Sequence, residues 1–344
     1  MDFLMLCEND WANTGWRYQQ CLKALGLRGL AFKGAIHTFY YPEQMVIHPA
    51  IYERTKNNGG KIQTVIDVPE LKYIVDAAKV IHFRDSVFVN TGVDLSKKKV
   101  VVQHGGRLYR QYHDKLNQWF NPVADAAMIH MPDLMGLGAK NEHLMYFPVD
   151  TDYIKPKYKR QSKRLLIGHW PTSQIEKGSQ MICQVIKSLE KKFPDRFDYL
   201  GVQRFELAGP NILSWDVNLQ RMQHCDILID ACAMTAQGHT YGEWGNTAVE
   251  AAACGTIVVT HALREGVYLD EYPIADGYYP NPMRIANTED EIEVRLTELL
   301  SLTDNEIEAE KQKHRAWSEQ NHSIPVSAKR LWKKIYGPLM EECL

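Results

Sequence analysis

Four short segments carry residue types and spacings that can do chemistry. The richest is Gly242-Glu243-Trp244-Gly245-Asn246-Thr247-Ala248-Val249-Glu250, continued by Ala251-Ala252-Ala253-Cys254-Gly255-Thr256. A glycine-bearing loop there feeds a helix whose first-turn N–H groups have no intrahelical acceptor. Those amides and the helix dipole suit an anion such as phosphate. Asn246 reads as the helix cap, and Glu250 sits one turn in, where a carboxylate can hold neutral hydroxyls. The same pattern also describes a plain capped helix of the core. The second segment runs from Ile167 through His169, Trp170 and Pro171 to Lys177-Gly178. It is a strand end, a polar loop and a helix start, and Lys177 can pair there with a diphosphate as a compact cation.

The third segment, Asn13-Thr14-Gly15, precedes a helix and is a candidate cradle for phosphate or sugar. It lacks the Gly-x-Gly-x-x-Gly spacing of a dinucleotide site, and nothing in the chain matches a P-loop. The fourth, Gln103-His104-Gly105-Gly106-Arg107, puts a histidine at the carboxyl end of a strand, where open sheets bind ligands. Such a histidine equally serves as a structural hydrogen-bonding group. No His-x-x-x-His or Cys/His grouping has metal-ligand spacing, and no Gly-x-Ser-x-Gly elbow occurs. The aromatic groups Phe39-Tyr40-Tyr41 and Tyr278-Tyr279 can stack on a base or sugar, although packing is their plainer role.

The elements that must position these residues alternate short apolar runs with longer helical stretches, the pattern of parallel α/β sheets. In the first half, 3–7, 31–36, 80–83, 99–103, 126–129 and 144–147 read as six strands, with a helix over 16–25 closed by Gly26. Residues 155–164 are polar, basic and without apolar periodicity, so they read as a linker. Beyond it, 165–168, 199–202, 205–208, 227–229 and 256–260 read as strands. Helices are expected over 178–192, 246–253, 291–300 and 305–320, and a last one over 325–336. Residues 37–62 and 105–122 read as loops of the first half.

The chain has 344 residues and a mass of 39.6 kDa, more than one core usually serves, so two domains are expected. A 45 % hydrophobic and 24 % charged composition excludes disordered and fibrous classes. Lys and Arg total 40 against 42 for Asp and Glu, so no global basic field holds nucleic acid or a membrane. The first half is mildly basic and the second mildly acidic, which leaves an anionic acceptor open. Seven scattered cysteines without a Cys-x-x-Cys pair read as buried thiols in a reducing compartment. The acidic, short N-terminal apolar run is unlike a signal peptide, and no run reaches the ~20 residues of a membrane span. A cytoplasmic protein without a transmembrane segment is expected.

Taken in order, these segments resemble the retaining glycosyltransferases of the glycogen-synthase-like, family-4 type over most of the chain. Ala12-Asn13-Thr14-Gly15 is similar to that family's N-terminal glycine loop, and Phe147-Pro148-Val149-Asp150 to its P-x-G-V-D crossover. His169-Trp170-Pro171 through Lys177-Gly178 resembles its H-A-P-x-x-x-x-K-G phosphate loop. Gly242–Thr256 resembles its E-G-F-G-x-x-x-x-E-A-M-A-C-G-T donor segment, the most specific match. The resemblance implies a GT-B fold, with two Rossmann-like doubly wound parallel-sheet domains facing a cleft. It implies an acceptor-binding domain over 1–150, a donor-binding domain over 151–324, and a C-terminal helix over 325–344 crossing back to the first.

The resemblance also implies roles. His104, Lys177 and Glu250 are the catalytic candidates. Gly15, His169, Lys177, Gly242, Glu243, Gly245, Asn246, Thr247 and Glu250 would bind the donor, and Asn13, Thr14 and Arg107 the acceptor. Two positions depart from the family: Gly242 stands where its first glutamate belongs, with Glu243 beside it, and His169 replaces its phosphate-binding arginine. The activity implied is hexosyl or pentosyl transfer from a nucleotide-diphosphate sugar, a UDP-sugar first, with retention and without metal or other cofactor. The donor's own phosphate can then take the acceptor proton, and the protein supplies position and electrostatics. The acceptor is a glycan, a lipid-linked glycan or a small molecule, or a hydroxylated base in DNA given Lys97-Lys98-Lys99, Arg107 and Arg110. A non-catalytic sugar-nucleotide-binding subunit and a sugar-nucleotide epimerase are the readings from other classes.

Overall fold

Runs such as Leu4-Met5-Leu6 and Val100-Val101-Val102 are apolar at consecutive positions, which suits parallel strands covered on both faces. The computed structural model describes residues 1–56, 65–84, 87–160, 162–204, 213–232, 235–236, 239–240, 244–262 and 272–341. The chain divides into two compact units, Met1–Pro148 with Ile324–Leu344, and Val149–Ser323.

The first unit is built on a seven-stranded sheet, every neighbouring pair parallel. Its order is Val46–Ile47, Gly29–Lys33, Phe3–Leu6, Val80–Arg84, Lys99–His104, Ala126–Ile129 and Glu142–Leu144. Strands added outward in both directions from Phe3–Leu6 and Val80–Arg84 make it doubly wound, and the switch point lies between those two. Alternation along each strand splits the core. Phe3, Met5, Val101 and Met128 pack on one side with Tyr18 and Leu22 of the Thr14–Ala24 helix, and with Leu331, Ile335 and Tyr336 near the C-terminus. Leu4, Leu6, Ile81 and Val102 pack on the other with Leu116 and Phe120. The C-terminal segment is tied in further by a hydrogen bond between Tyr336 Oη and His82 Nδ1 at 2.9 Å.

The second unit holds a five-stranded parallel sheet ordered Phe197–Gly201, Leu165–His169, Ile227–Ile229, Ile257–Thr260, Arg284–Ile285. Its switch point lies between Leu165–His169 and Ile227–Ile229, where Gly168 registers with Leu228. Ile182, Val185, Ile186 and Leu189 of the Ser179–Lys192 helix and Ile292, Leu296 and Leu299 of Glu289–Ser301 cover one face.

The sequence reading and the structure differ in particular places. The seventh strand of the first sheet, Val46–Ile47, is two residues long and leaves no alternating pattern. A separate parallel pair joins Val65–Asp67 to Phe88–Asn90. Residues 105–122 are not a loop: Gly106–Phe120 is a helix, kinked at Tyr112. Residues 37–62 contain the short strand and the Pro49–Lys56 helix. Trp215–His224 is a further helix that the reading did not contain. The strand expected over 205–208 lies outside the described residues. Among the described residues the six cysteines are buried free thiols, and no helix is long and apolar enough to cross a membrane.

Candidate functional site

The carboxyl ends of the second sheet's central strands bring the sequence candidates together. Leu165–His169 leads through the 170–178 loop to Lys177. Gly178 then takes a positive φ of 73°, which lets the chain turn directly into the Ser179–Lys192 helix. Ile227–Ile229 ends at Asp230. The cap of the Asn246–Ala253 helix is Gly245, not Asn246, and it has no side chain of its own to give. Gly245, Asn246 and Thr247 are partly exposed, so the first-turn amides lie where an anion can reach them.

Lys177 Nζ donates to Asp230 Oδ1 at 2.8 Å, both side chains being largely buried, and Gly245 N–H lies 3.4 Å from Asp230 Oδ2. Burial alone pushes the Asp230 carboxyl up. The Lys177 ammonium, its hydrogen bond and the Gly245 N–H outweigh that and hold it below the ordinary range. A Cβ built on Gly245 would stand 3.6 Å from Lys177 Nζ and 3.8 Å from Asp230 Oδ2, which places the helix cap directly against the pair. Glu250 lies one turn into the same helix, on the side of Asn246. It is 2 % exposed, and its Oε1 accepts from Trp215 Nε1 at 3.2 Å. Trp215 in turn stacks on the exposed Tyr153, ring centroids 5.8 Å apart.

His169 is placed at this switch point but faces inward. Its Nδ1 is 2.8 Å from the Ile229 carbonyl oxygen, which can only accept, so the Nδ1 proton is fixed there. Nε2 then accepts from Ser179 Oγ at 2.7 Å. Burial lowers the ring to about 4, against the opposing pull of the Ile229 carbonyl, so it is neutral. As placed, it ties a strand end to a helix start.

Two further candidate segments lie in the first unit. The Asn13-Thr14-Gly15 cradle is filled by the chain's own acid. Asp10 Oδ1 accepts from Gly15 N–H at 2.7 Å, Asp10 Oδ2 from Trp16 N–H at 2.9 Å, and Arg84 Nε lies 3.1 Å from Oδ1. Asn13 donates from Nδ2 to the Glu43 carbonyl at 2.8 Å, and Thr14 is buried. A Cβ on Gly15 would meet Met45 Sδ at 2.6 Å and Arg84 Cδ at 2.8 Å, which is why glycine stands there. His104 is 1 % exposed, stacked on Tyr109 at 4.0 Å and edge-on to Phe120 at 5.6 Å. Burial lowers it to about 3, which favours the neutral ring.

Arg107 is the second residue of the Gly106–Phe120 helix, and its side chain lies outside the described residues, as do Gly242 and Glu243. Sequence reasoning missed Asp230, Trp215 and the Asp10–Arg84 pair. Asp230 left one signal, an acid directly after an apolar strand at its carboxyl end; Trp215 left none. No group of three or more His, Cys, Asp or Glu side chains converges as for a metal among the described residues.

No protein-family model and no curated protein matches the chain. Solved structures do. A glycosyltransferase from Rickettsia africae ESF-5 superposes with a TM-score of 0.59 at 11 % identity, over 99 % of this chain and 98 % of that one. Anabaena Alr3699/HepE, solved in complex with UDP-glucose, gives 0.59 at 13 % identity over 98 % and 100 %. An alpha-glucosyltransferase in complex with UDP and a 13-mer DNA containing an HMU base gives 0.57 at 12 % identity over 97 % and 99 %. At such identities the likeness is one of fold: the chain has the mixed α/β, doubly wound architecture of GT-B.

Proposed function

We propose that this chain is a glycosyltransferase that takes a hexose or pentose from a nucleotide-diphosphate sugar, with a UDP-sugar as the first candidate. The observation that carries this reading is the convergence of Lys177 Nζ with the start of the Asn246–Ala253 helix at a switch point, Glu250 one turn below. In this account the Gly245, Asn246 and Thr247 positions and Lys177 hold the diphosphate, and Glu250 holds ribose hydroxyls. Charge builds on the leaving diphosphate, and preorganised donors aimed at developing charge are commonly the largest catalytic contribution. The account takes transfer to be retaining and independent of metal, the donor's phosphate receiving the acceptor proton. The UDP and UDP-glucose in complexes of full-length structural neighbours support the choice of nucleotide.

For the acceptor we favour a saccharide or another small hydroxylated molecule. A DNA base is the second reading, favoured by the neighbour solved with DNA. Against it, the lysine run is engaged within the first unit: Lys97 pairs with Asp94, Lys98 Nζ donates to the Asp76 and Ala78 carbonyls, and Lys99 pairs with Asp125. Arg110 is likewise paired with Asp133. A thermal-shift panel of UDP, ADP, GDP and their sugars tests the donor reading, which expects UDP to raise the melting point and fails if no nucleoside diphosphate does. Slow hydrolysis of the bound donor without acceptor separates a transferase from a binding-only subunit. Steep loss of DNA affinity with added salt would favour the DNA reading.

A further inference from the structure

The groups assigned above to the diphosphate are already engaged by an acid of the chain. Asp230 Oδ1 accepts from Lys177 Nζ at 2.8 Å while Oδ2 faces Gly245 N–H at 3.4 Å. One carboxylate thus bridges the lysine and the helix N-terminus in the way a phosphate would. The arrangement is anchored on both sides. Asp230 N–H donates to the Val259 carbonyl at 2.9 Å, and Cys232 N–H donates to the Lys177 carbonyl at 3.2 Å, so neither backbone is free to drift. The side chains are 4 % and 9 % exposed, which makes the pair a built part of the site.

Its electrostatic consequence is direct. With Asp230 ionised, the pair is neutral, and any anion approaching Lys177 meets an equal negative charge a few ångströms away. A small anion has nothing further to offer the site. A nucleoside diphosphate brings two phosphoryl groups to the first-turn amides and a ribose to Glu250, and it can take the lysine and the helix start from the carboxylate. We propose that Asp230 is a specificity-determining residue of the donor site, an internal anion that holds Lys177 and the helix start in place and yields them only to a nucleoside diphosphate. Inorganic phosphate and nucleoside monophosphates are kept out. This inference rests on the donor-site reading above.

Calorimetric titration of the full chain with UDP, UMP and inorganic phosphate tests it, in the natural protein and in Asp230→Asn. The variant is expected to bind UDP about tenfold more tightly, and to acquire competition by inorganic phosphate that the natural protein resists. Unchanged or weaker UDP binding by folded Asp230→Asn, with no gain toward phosphate, overturns the proposal. Because the substitution removes the buried negative charge beside Lys177 and can prevent folding, a second measurement uses the unaltered chain. The Asp230 carboxyl carbon, followed by NMR, should shift on addition of UDP and stay put with inorganic phosphate; a signal unmoved at saturating UDP overturns the proposal equally. Absence of any UDP binding by the natural protein is a distinct result, seen before any variant is compared, and it removes the donor-site reading along with this one.

Discussion

Trp215→Phe isolates one contact of the proposed site. The substitution keeps an aromatic ring against Tyr153, stacked at 5.8 Å, and removes the indole N–H that donates to Glu250 Oε1 at 3.2 Å. Glu250 is 2 % exposed, so water cannot simply replace the lost donor. A hydrogen bond to a charged group contributes about 1.5–3 kcal/mol. If roughly half of that reappears as a less well-placed carboxylate toward the ribose, UDP affinity falls about three- to tenfold, each 1.4 kcal/mol being a factor of ten. The assay is calorimetric titration with UDP and with 2′,3′-dideoxy-UDP, which lacks the hydroxyls Glu250 is proposed to hold. The loss should be confined to UDP. An equal loss for both nucleotides, or none for either, would refute the assignment of Glu250 to the ribose and of Trp215 to its positioning.

Lys177→Ala leaves Asp230 buried beside the helix start without its cation; removing one partner of such a pair costs about 3–5 kcal/mol, read as a lower urea midpoint, together with loss of UDP binding. Gly15→Ala forces a methyl within 2.6 Å of Met45 Sδ and 2.8 Å of Arg84 Cδ, so it should destabilise by roughly 1–3 kcal/mol while the UDP affinity of the folded fraction is retained. Acid should weaken the fold early. Burial lowers His82, His104 and His130 to about 3, and His37, His169 and His314 to about 4, from an ordinary value of 6.5. A base depressed in the folded state gives stability that is complete above 6.5 and is lost as pH falls toward 4 and then 3, because the unfolded chain binds the protons first. Urea midpoints should therefore drop progressively from pH 7 to pH 4; a flat profile over that interval would count against the burial of these rings.

The second unit was the more legible half. Ile227–Ile229 and Asn246–Ala253 match the sequence reading residue for residue, because a short apolar run bounded by acids and an Ala-rich helix between two glycines leave little ambiguity. The position of Lys177 at a helix start was equally plain. The Gly106–Phe120 helix was hidden by its glycine start and by its polar His113-Asp114 and Asn117-Gln118 steps. Val46–Ile47 is too short to show a period. What the sequence could not display is pairing through space: Asp230 meets Lys177 from 53 residues away, and Asp10 meets Arg84 from another strand. That is also why the N-terminal glycine loop looked like an anion cradle; the anion that fills it is a side chain of the same loop. His104 ends a strand, and His169 stands where the resemblance puts a phosphate-binding arginine; nothing in either signal shows that Tyr109 stacks on the one and that Ile229 and Ser179 bond the other.

The most direct test of the account is a structure of the chain with UDP bound. The account predicts the distal phosphate at the Gly245–Thr247 helix start within hydrogen-bond reach of Lys177 Nζ, and the ribose hydroxyls on Glu250. UDP seated anywhere else, or a donor site that stays vacant at saturating nucleotide with Lys177 still on Asp230, would contradict it.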